Sequence, residues 1–161
     1  MSISVLMSVY KNERPEYLDK SINSIWTDQT LQPTEIILIE DGPLPDELEH
    51  TINRWKELIG NKLIIHKNVK NLGLTKSLNI GLQIASSDFI ARMDSDDISD
   101  PKRFERQTKY LETHPDVAIV GGAMQEFNSS NPKLNVRHYP RNNEEVMHTI
   151  YKASPLAHPT V

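Results

Sequence analysis

Short runs of apolar residues alternate along this chain with longer segments in which apolar residues recur every three or four positions. The short runs are rich in Ile, Leu and Val, as strands are, and the longer segments have the period of amphipathic helices. The pattern predicts five strands, at Ile3–Val9, Glu35–Glu40, Lys62–His66, Phe89–Met93 and Val117–Val120. It predicts five helices, at Glu16–Asp28, Asp46–Ile59, Leu74–Ala85, from Asp100 to His114, and Asn142–Lys152.

Strands that alternate with helices predict an α/β fold with a mostly parallel central sheet, because parallel neighbours need a crossover connection. Ile36–Ile39 is apolar throughout, which indicates a strand covered by helices on both faces. In the third helix the apolar residues at helical spacing are Leu74, Leu78, Leu82 and Ala85. After Glu126 the pattern weakens, and Asn128–Lys133 is predicted to be a loop.

The composition narrows the classes of protein that fit this pattern. The 161 residues suit a single domain, and the net charge of −4 argues against a nucleic-acid-binding protein. The absence of cysteine excludes thiolate metal sites and cysteine nucleophiles, so any metal must be held by oxygen or imidazole. With no signal peptide and no apolar run of membrane-spanning length, we expect a cytoplasmic location.

Ligands of open parallel sheets bind outside the carboxyl ends of the strands, so the residues after each predicted strand are the first candidates for a site. Four such segments are polar: Ser8–Asn12, Glu40–Gly42, Asn68–Gly73 and Asp94–Asp97. None has the glycine pattern of a dinucleotide-binding loop or of a P-loop. The sequence therefore disfavours dinucleotide-dependent oxidoreductases and P-loop nucleotidases.

The acidic segment after the fourth strand is the most informative of the four. Asp94 and Asp96 flank Ser95, and carboxylates two residues apart in a turn can bind a divalent cation or bridge it to a diphosphate. The spacing alone is common, and the alternative is an acidic turn that caps the following helix. Asp100 already supplies that cap, which favours the cation site.

Other polar residues have both a functional and a structural interpretation. Asp41 could read a ligand or simply form an Asp-Gly turn, and Tyr10 could stack on a base or pack against the first helix. Lys76 and Arg92 could neutralise phosphates, although isolated basic residues are more often solvated or ion-paired. His158 lies in an apolar setting and is more readily a structural histidine than a ligand.

Taken together, the polar segments and the strands before them resemble a known family. The chain resembles the N-terminal half of the family 2 inverting glycosyltransferases of the GT-A fold, which transfer a sugar from a nucleotide diphosphate to an acceptor hydroxyl. The resemblance implies a Rossmann-like fold with helices on both sides of the sheet. The matching stretches, in order, are Val5–Glu13, Glu35–Gly42, Asn71–Asn79 and Phe89–Asp97.

The resemblance also implies roles for individual residues. Tyr10 lies against the base, Asp41 accepts a hydrogen bond from it, Asp94 approaches the ribose or the metal shell, and Asp96 holds Mg²⁺ or Mn²⁺ on the diphosphate. Proline is usual in the family at the position of Ser8, which leaves the base preference open. The substrate-binding residues implied are Ser8, Tyr10, Asp41, Asn71, Lys76, Asp94 and Ser95, with Asp96 and Asp94 at the metal.

The family's general base lies in an acidic motif beyond the segment that resembles Leu156–Val161, so we expect this chain to be a donor-binding portion that lacks it. Residues 1–161 then form one domain, with a donor-binding core at 1–127 and the start of the acceptor side at 128–161. Asp97 is the nearest spare carboxylate. We expect its place beside the metal-binding pair Asp94 and Asp96 to keep its pKa low and its orientation tied to the turn, which would make it a poor base.

Three hypotheses follow. The first is a metal-dependent glycosyltransferase that uses a nucleotide-diphosphate sugar, with UDP-sugar favoured, and a glycan or lipid-linked acceptor. Under this hypothesis the protein could associate peripherally with the inner face of the membrane through a region after Val161. No nucleic acid is involved. The second is a module that binds a nucleotide sugar without turnover. The third is a phosphoacceptor signalling domain, which is disfavoured because the first strand is followed by Tyr10-Lys11-Asn12 instead of an acidic pair.

Overall fold

A computed structural model describes residues 2–127 and 135–161 of the chain. It contains strands and helices that alternate through the first two thirds, followed by a small hairpin and a short helix. The strands are β1 (Ile3–Val9), β2 (Glu35–Glu40), β3 (Leu63–Lys67), β4 (Phe89–Asp94), β5 (Met124–Gln125) and β6 (Val136–Arg137). The helices are α1 (Pro15–Trp26), α2 (Asp46–Ile59), α3 (Leu74–Ile84), α4 (Arg103–Thr113) and α5 (Asn143–Thr149).

The first four strands form one parallel sheet in the order β3-β2-β1-β4. In its register Ser8 of β1 lies between Ile39 of β2 and Asp94 of β4. The carboxyl ends of these three strands therefore finish together at one edge of the sheet. The predicted α/β fold with a mostly parallel sheet is confirmed.

Helices cover both faces of the sheet, and every position of β2 is therefore buried. Ile36 and Leu38 pack with the buried residues of α1 and α2, whereas Ile37 and Ile39 pack with Leu78 of α3 on the opposite face. Gly81 allows α3 to approach the sheet closely, because a Cβ at this position would overlap Leu6.

The C-terminal residues are attached to the free side of β4. The amide of Arg92 donates to the carbonyl of Val161 over 2.6 Å, and Arg103 donates to carbonyls of both residues. Burial, and then the neighbouring Arg92, lower the pKa of Arg103 to about 10. Within the described residues, no helix combines the length and apolar character needed to cross a membrane.

The fifth strand predicted from the hydrophobic pattern is wrong. Val117–Val120 forms no strand and instead crosses beside α4, where Gln107 donates to the Val120 carbonyl. Leu74 and Leu82 are nearly half exposed, because their side of α3 borders an open cavity and not a covered core. The predicted loop at Asn128–Lys133 lies outside the described residues.

Candidate functional site

A cleft of about 420 Å³ lies at the edge where β1, β2 and β4 end. It is built by the loops after these strands and after β3, together with the start of α3. Most of the residues that line it have polar or charged side chains, which suits a charged ligand. Its lining residues are Ser8, Tyr10, Asn12, Glu13, Asp41, Asn71, Gly73, Leu74, Ser95 and Asp96.

Most of the residues that the sequence predicts for the site meet in this cleft. They come from separate loops: Ser8 and Tyr10 from the end of β1, Asp41 and Asn71 from the loops after β2 and β3, and Ser95 and Asp96 from the turn after β4. Two predicted site residues, Lys76 and Asp94, do not line the cleft. Lys76 is exposed in the first turn of α3, and Asp94 is turned towards Arg92.

Asp41 is buried and anchors the loop that follows β3. Its Oδ1 accepts hydrogen bonds from the Leu72 amide at 2.7 Å and from Asn68 Nδ2 at 3.2 Å, and its Oδ2 accepts one from the Gly73 amide at 3.0 Å. Burial by itself raises the pKa of Asp41, but hydrogen bonds, led by the one from Leu72, outweigh it and hold the pKa below its usual value. The carboxylate therefore stays charged at neutral pH and shapes one wall of the cleft.

The turn after Asp41 depends on glycine. Gly42 has a φ of +92°, and a Cβ there would lie 2.7 Å from the Asn71 amide nitrogen. The close approach brings the loops after β2 and β3 together, so that Asn71 Nδ2 donates to the Asp41 carbonyl. The Asp-Gly pair therefore serves turn geometry and site geometry at once.

The acidic turn gives its aspartates different surroundings. Asp94 forms an ion pair with Arg92, whose side chain is only 7% exposed. Asp96 lines the cleft, and its carboxylate has no hydrogen bond or ion pair with any residue that the structure describes. Arg92 is thus a buried ion-pairing residue, in agreement with the structural interpretation of its charge.

The expectation of a low pKa for Asp97 is wrong. Burial is the main cause of the opposite shift: it raises the pKa of Asp97, and the nearby charges of Asp94 and Asp96 raise it further. The nearby Arg92 and Arg103 oppose this shift but do not overcome it. The sequence places Asp97 beside two carboxylates but does not show that its side chain is turned into the protein.

The donor groups of the cleft fit a cation that arrives with a diphosphate. In residues 2–127 and 135–161, no cluster of three or more His, Asp or Glu side chains could enclose a metal ion. Mg²⁺ at phosphate sites is commonly held by one or two carboxylates together with phosphate oxygens and water. The carboxylate of Asp96, which faces the cleft without a partner among the described residues, matches that requirement.

A larger cavity of about 620 Å³ lies beside β4 and is lined mainly by apolar residues of α3, β4 and α4. Arg92 and His158 border this cavity and not the polar cleft, whereas Leu74 lines both. Burial, followed by repulsion from Arg92, lowers the pKa of His158, which favours the neutral imidazole. His158 does not line the cleft, and its ring makes no hydrogen bond to a residue that the structure describes, so a structural role for it stays a prediction.

Four residues of the cleft are outside the predicted set of site residues: Asn12, Glu13, Gly73 and Leu74. Asn12 and Glu13 directly follow Tyr10 at the end of a strand, so their position was an available signal. Glu13 also accepts a hydrogen bond from Ser95 over 2.5 Å, a contact between residues 82 positions apart. No sequence pattern predicts that pairing.

Comparison with known proteins identifies related sequences. The family model described as "Glycosyl transferase family 2" matches residues 4–160. The chain is 39% identical over 155 residues to the amylovoran biosynthesis glycosyltransferase AmsE of Erwinia amylovora, covering 96% of this chain and 57% of the relative. It is 34% identical over 160 residues to the UDP-Gal:alpha-D-GlcNAc-diphosphoundecaprenol beta-1,3-galactosyltransferase of Escherichia coli, covering 98% and 56%.

Solved structures show the same fold. The mannosyltransferase PcManGT from Pyrobaculum calidifontis, in complex with GDP-Man and Mn²⁺, matches with a TM-score of 0.60 and 18% identity. That match covers 74% of this chain and 33% of the other. The chain thus spans less than two thirds of the two curated relatives and a third of this structural neighbour.

Proposed function

The chain belongs to glycosyl transferase family 2, and we propose that its polar cleft binds the nucleotide-diphosphate sugar of an inverting glycosyltransferase of polysaccharide or glycan biosynthesis. One observation carries this proposal: three side chains converge at one edge of the sheet, namely an accessible aromatic ring, a charged and buried carboxylate, and a carboxylate that has no partner among the described residues. These are Tyr10, Asp41 and Asp96.

The nucleoside end of the donor is assigned to Tyr10 and Asp41. Tyr10 is 37% exposed, and its ring offers a flat surface on which a base can stack. An ionised carboxylate has about four acceptor positions, and Asp41 uses three for Leu72, Asn68 and Gly73; a base N–H would take the fourth in place of the nearby Ser77 hydroxyl. A base that presents an N–H, as uracil does, fits that position.

The diphosphate end is assigned to the turn after β4. Asp96 would hold a Mg²⁺ or Mn²⁺ ion against the phosphates, and Asp94 would contribute less because Arg92 already neutralises it. When bound, such an ion stabilises the negative charge that develops on the leaving diphosphate. The Mn²⁺ and GDP-Man of the structural neighbour and the UDP-Gal in the relative's name support a donor of this class.

The base that takes the acceptor's proton is proposed to lie outside these 161 residues. The carboxylates that line the cleft are Glu13, Asp41 and Asp96, and each has another task there. The acceptor is proposed to be a glycan or a lipid-linked sugar at the cytoplasmic face of the membrane. The E. coli relative, whose name includes diphosphoundecaprenol, supports a lipid-linked acceptor.

Calorimetric titration with UDP tests the donor proposal. We expect UDP to bind in the presence of Mg²⁺ or Mn²⁺ and to bind at least about tenfold more weakly in a chelator, because the acidic turn repels an uncompensated diphosphate. Asp96→Asn should lose the metal-dependent part of the affinity. Asp116→Asn, at an exposed position away from the cleft, serves as the matched control. Equal affinity with and without the ion would refute the role of the metal.

A further inference from the structure

The acidic turn after β4 is held in place by side chains from the segment that follows β1. Ser21 Oγ of α1 donates to the Asp94 carbonyl over 2.8 Å. Ser95 Oγ donates to Glu13 Oε2 over 2.5 Å, and Ser95 is 92% buried. The turn is therefore fixed at its backbone by one contact and at its central side chain by another.

Both carboxylate oxygens of Glu13 are engaged at this point. Oε2 accepts the hydrogen bond from Ser95, while Oε1 accepts one from the Arg14 amide over 2.7 Å, at the start of α1. Glu13 thus links the loop that carries Tyr10 to the turn that carries Asp96. Both of these residues line the cleft together with Glu13 and Ser95.

We propose that Glu13 is a positioning residue that, through its hydrogen bond with Ser95, sets the acidic turn so that Asp96 faces the donor diphosphate. The proposal rests on the proposed function of the cleft and adds to it a residue with no direct part in the chemistry. A small shift of Asp96 would weaken metal-dependent binding, because partners that orient metal ligands typically contribute about 10–100-fold to affinity.

The alternatives for Glu13 are direct cation binding and proton abstraction, and both require its negative charge. A positioning role requires only that the hydrogen bonds persist. In Glu13→Gln the amide oxygen can accept from the Arg14 amide, and the amide nitrogen can donate to the Ser95 hydroxyl, which also accepts. The glutamine variant therefore separates the two kinds of role.

The first measurement is hydrogen exchange at the amides of residues 94–97 in the unliganded protein. We expect faster exchange there in Glu13→Ala and in Ser95→Ala, no further increase in the double variant, and exchange like that of the unmutated protein in Glu13→Gln. Glu57→Ala removes an exposed glutamate on α2 and is the matched control. Unchanged exchange in Glu13→Ala would overturn the proposal.

The second measurement is binding of UDP with Mn²⁺, alongside binding of uridine without metal. Glu13→Ala should weaken UDP binding by about 10–100-fold and leave uridine binding unchanged, and Glu13→Gln should restore UDP binding. Equal losses in the alanine and glutamine variants would show that Glu13 acts through its charge and would overturn the proposal. If the unmutated chain fails to bind UDP, the proposed function fails, and the exchange measurement still decides whether Glu13 holds the turn.

Discussion

At the scale of single residues, the surroundings of a side chain decide what it can do. Asp94 and Asp96 are chemically identical and two positions apart, but the first is paired with a buried arginine and the second faces the cleft. An arginine buried without its partner is costly, because water no longer solvates the charge. Asp94 therefore contributes mainly to stability and Asp96 mainly to binding.

Substitution of each aspartate by asparagine should separate these contributions. Asp94→Asn should lower the free energy of unfolding by about 1–2 kcal/mol. This is a small loss for a hydrogen bond between charged groups, because Asp94 is one-third exposed and water screens the pair. Asp96→Asn should change it by less than about 0.5 kcal/mol, as expected where a surface residue has no partner. Urea denaturation of both variants at pH 7 measures the difference. Equal effects on stability would contradict the assignment.

The buried carboxylate of Asp41 predicts a pH-dependent contribution to stability. Because its pKa is lower in the folded state, its contribution is fully present above the unfolded value of about 4 and is lost as pH falls through the folded-state pKa. Asp41→Asn should therefore be destabilised by about 1–3 kcal/mol at pH 7, and the gap to the unmutated protein should narrow in acid below pH ~4.

Urea denaturation of the two proteins from pH 7 down to pH 3 measures this gap. Asp116→Asn, at an exposed position, should follow the unmutated protein at each pH. A gap that stays constant down to pH 3 would show that the charge of Asp41 does not stabilise the loop after β3.

At the scale of elements, sequence patterns located the strands and helices where burial is regular. The bounds of β1, β2 and α2 agree with the prediction residue for residue, because their apolar positions face a core covered on that side. Val117–Val120 is equally apolar but has no strand partner in the described residues. Local composition indicates a capacity for a strand, whereas pairing depends on a neighbour elsewhere in the chain.

Gly42, in the turn between β2 and α2, and Gly60, after α2, should respond differently to substitution by alanine. Gly42 and Gly60 both have positive φ, but a Cβ would collide with the Asn71 backbone only at Gly42. Gly60→Ala should cost about 1–3 kcal/mol of backbone strain and leave UDP binding unchanged. Gly42→Ala should cost more and should also weaken UDP binding, because it forces apart two loops that form the cleft.

Thermal unfolding and calorimetry on the two variants distinguish strain from damage to the site. The stability loss in Gly60→Ala supplies the baseline for backbone strain without a collision. If Gly42→Ala is destabilised but binds UDP normally, the close approach of Gly42 to Asn71 is not needed for the site.

At the scale of the whole molecule, the cleft is assembled from loops that are far apart in sequence and meet because parallel strands end at one edge. That rule predicted which segments to inspect, and six of the eight predicted site residues do line the cleft. It could not predict that Asp94 turns to Arg92, that Lys76 stays in solvent, or that Glu13 reaches Ser95. Those outcomes depend on side-chain packing across the sheet.

The last prediction concerns catalysis by these 161 residues: they should bind the donor yet transfer its sugar at a negligible rate. A positioned base typically contributes about 10²–10⁴-fold, and an incompletely formed acceptor site loses the advantage of alignment as well. None of the cleft carboxylates is free to act as that base: the loop after β3 binds Asp41, Ser95 binds Glu13, and Asp96 is proposed to hold the cation.

A transfer assay with radiolabelled UDP-sugar measures this rate for the 161 residues and for a version extended to the length of the curated relatives. Asp96→Asn in the extended version gives the background without metal-dependent donor binding. Comparable transfer by the two lengths would place the base within these residues, and Glu13→Gln, Asp97→Asn and His158→Gln would then identify it. Donor binding without transfer by either length would instead favour a binding module, because a complete acceptor side would have failed to supply the base.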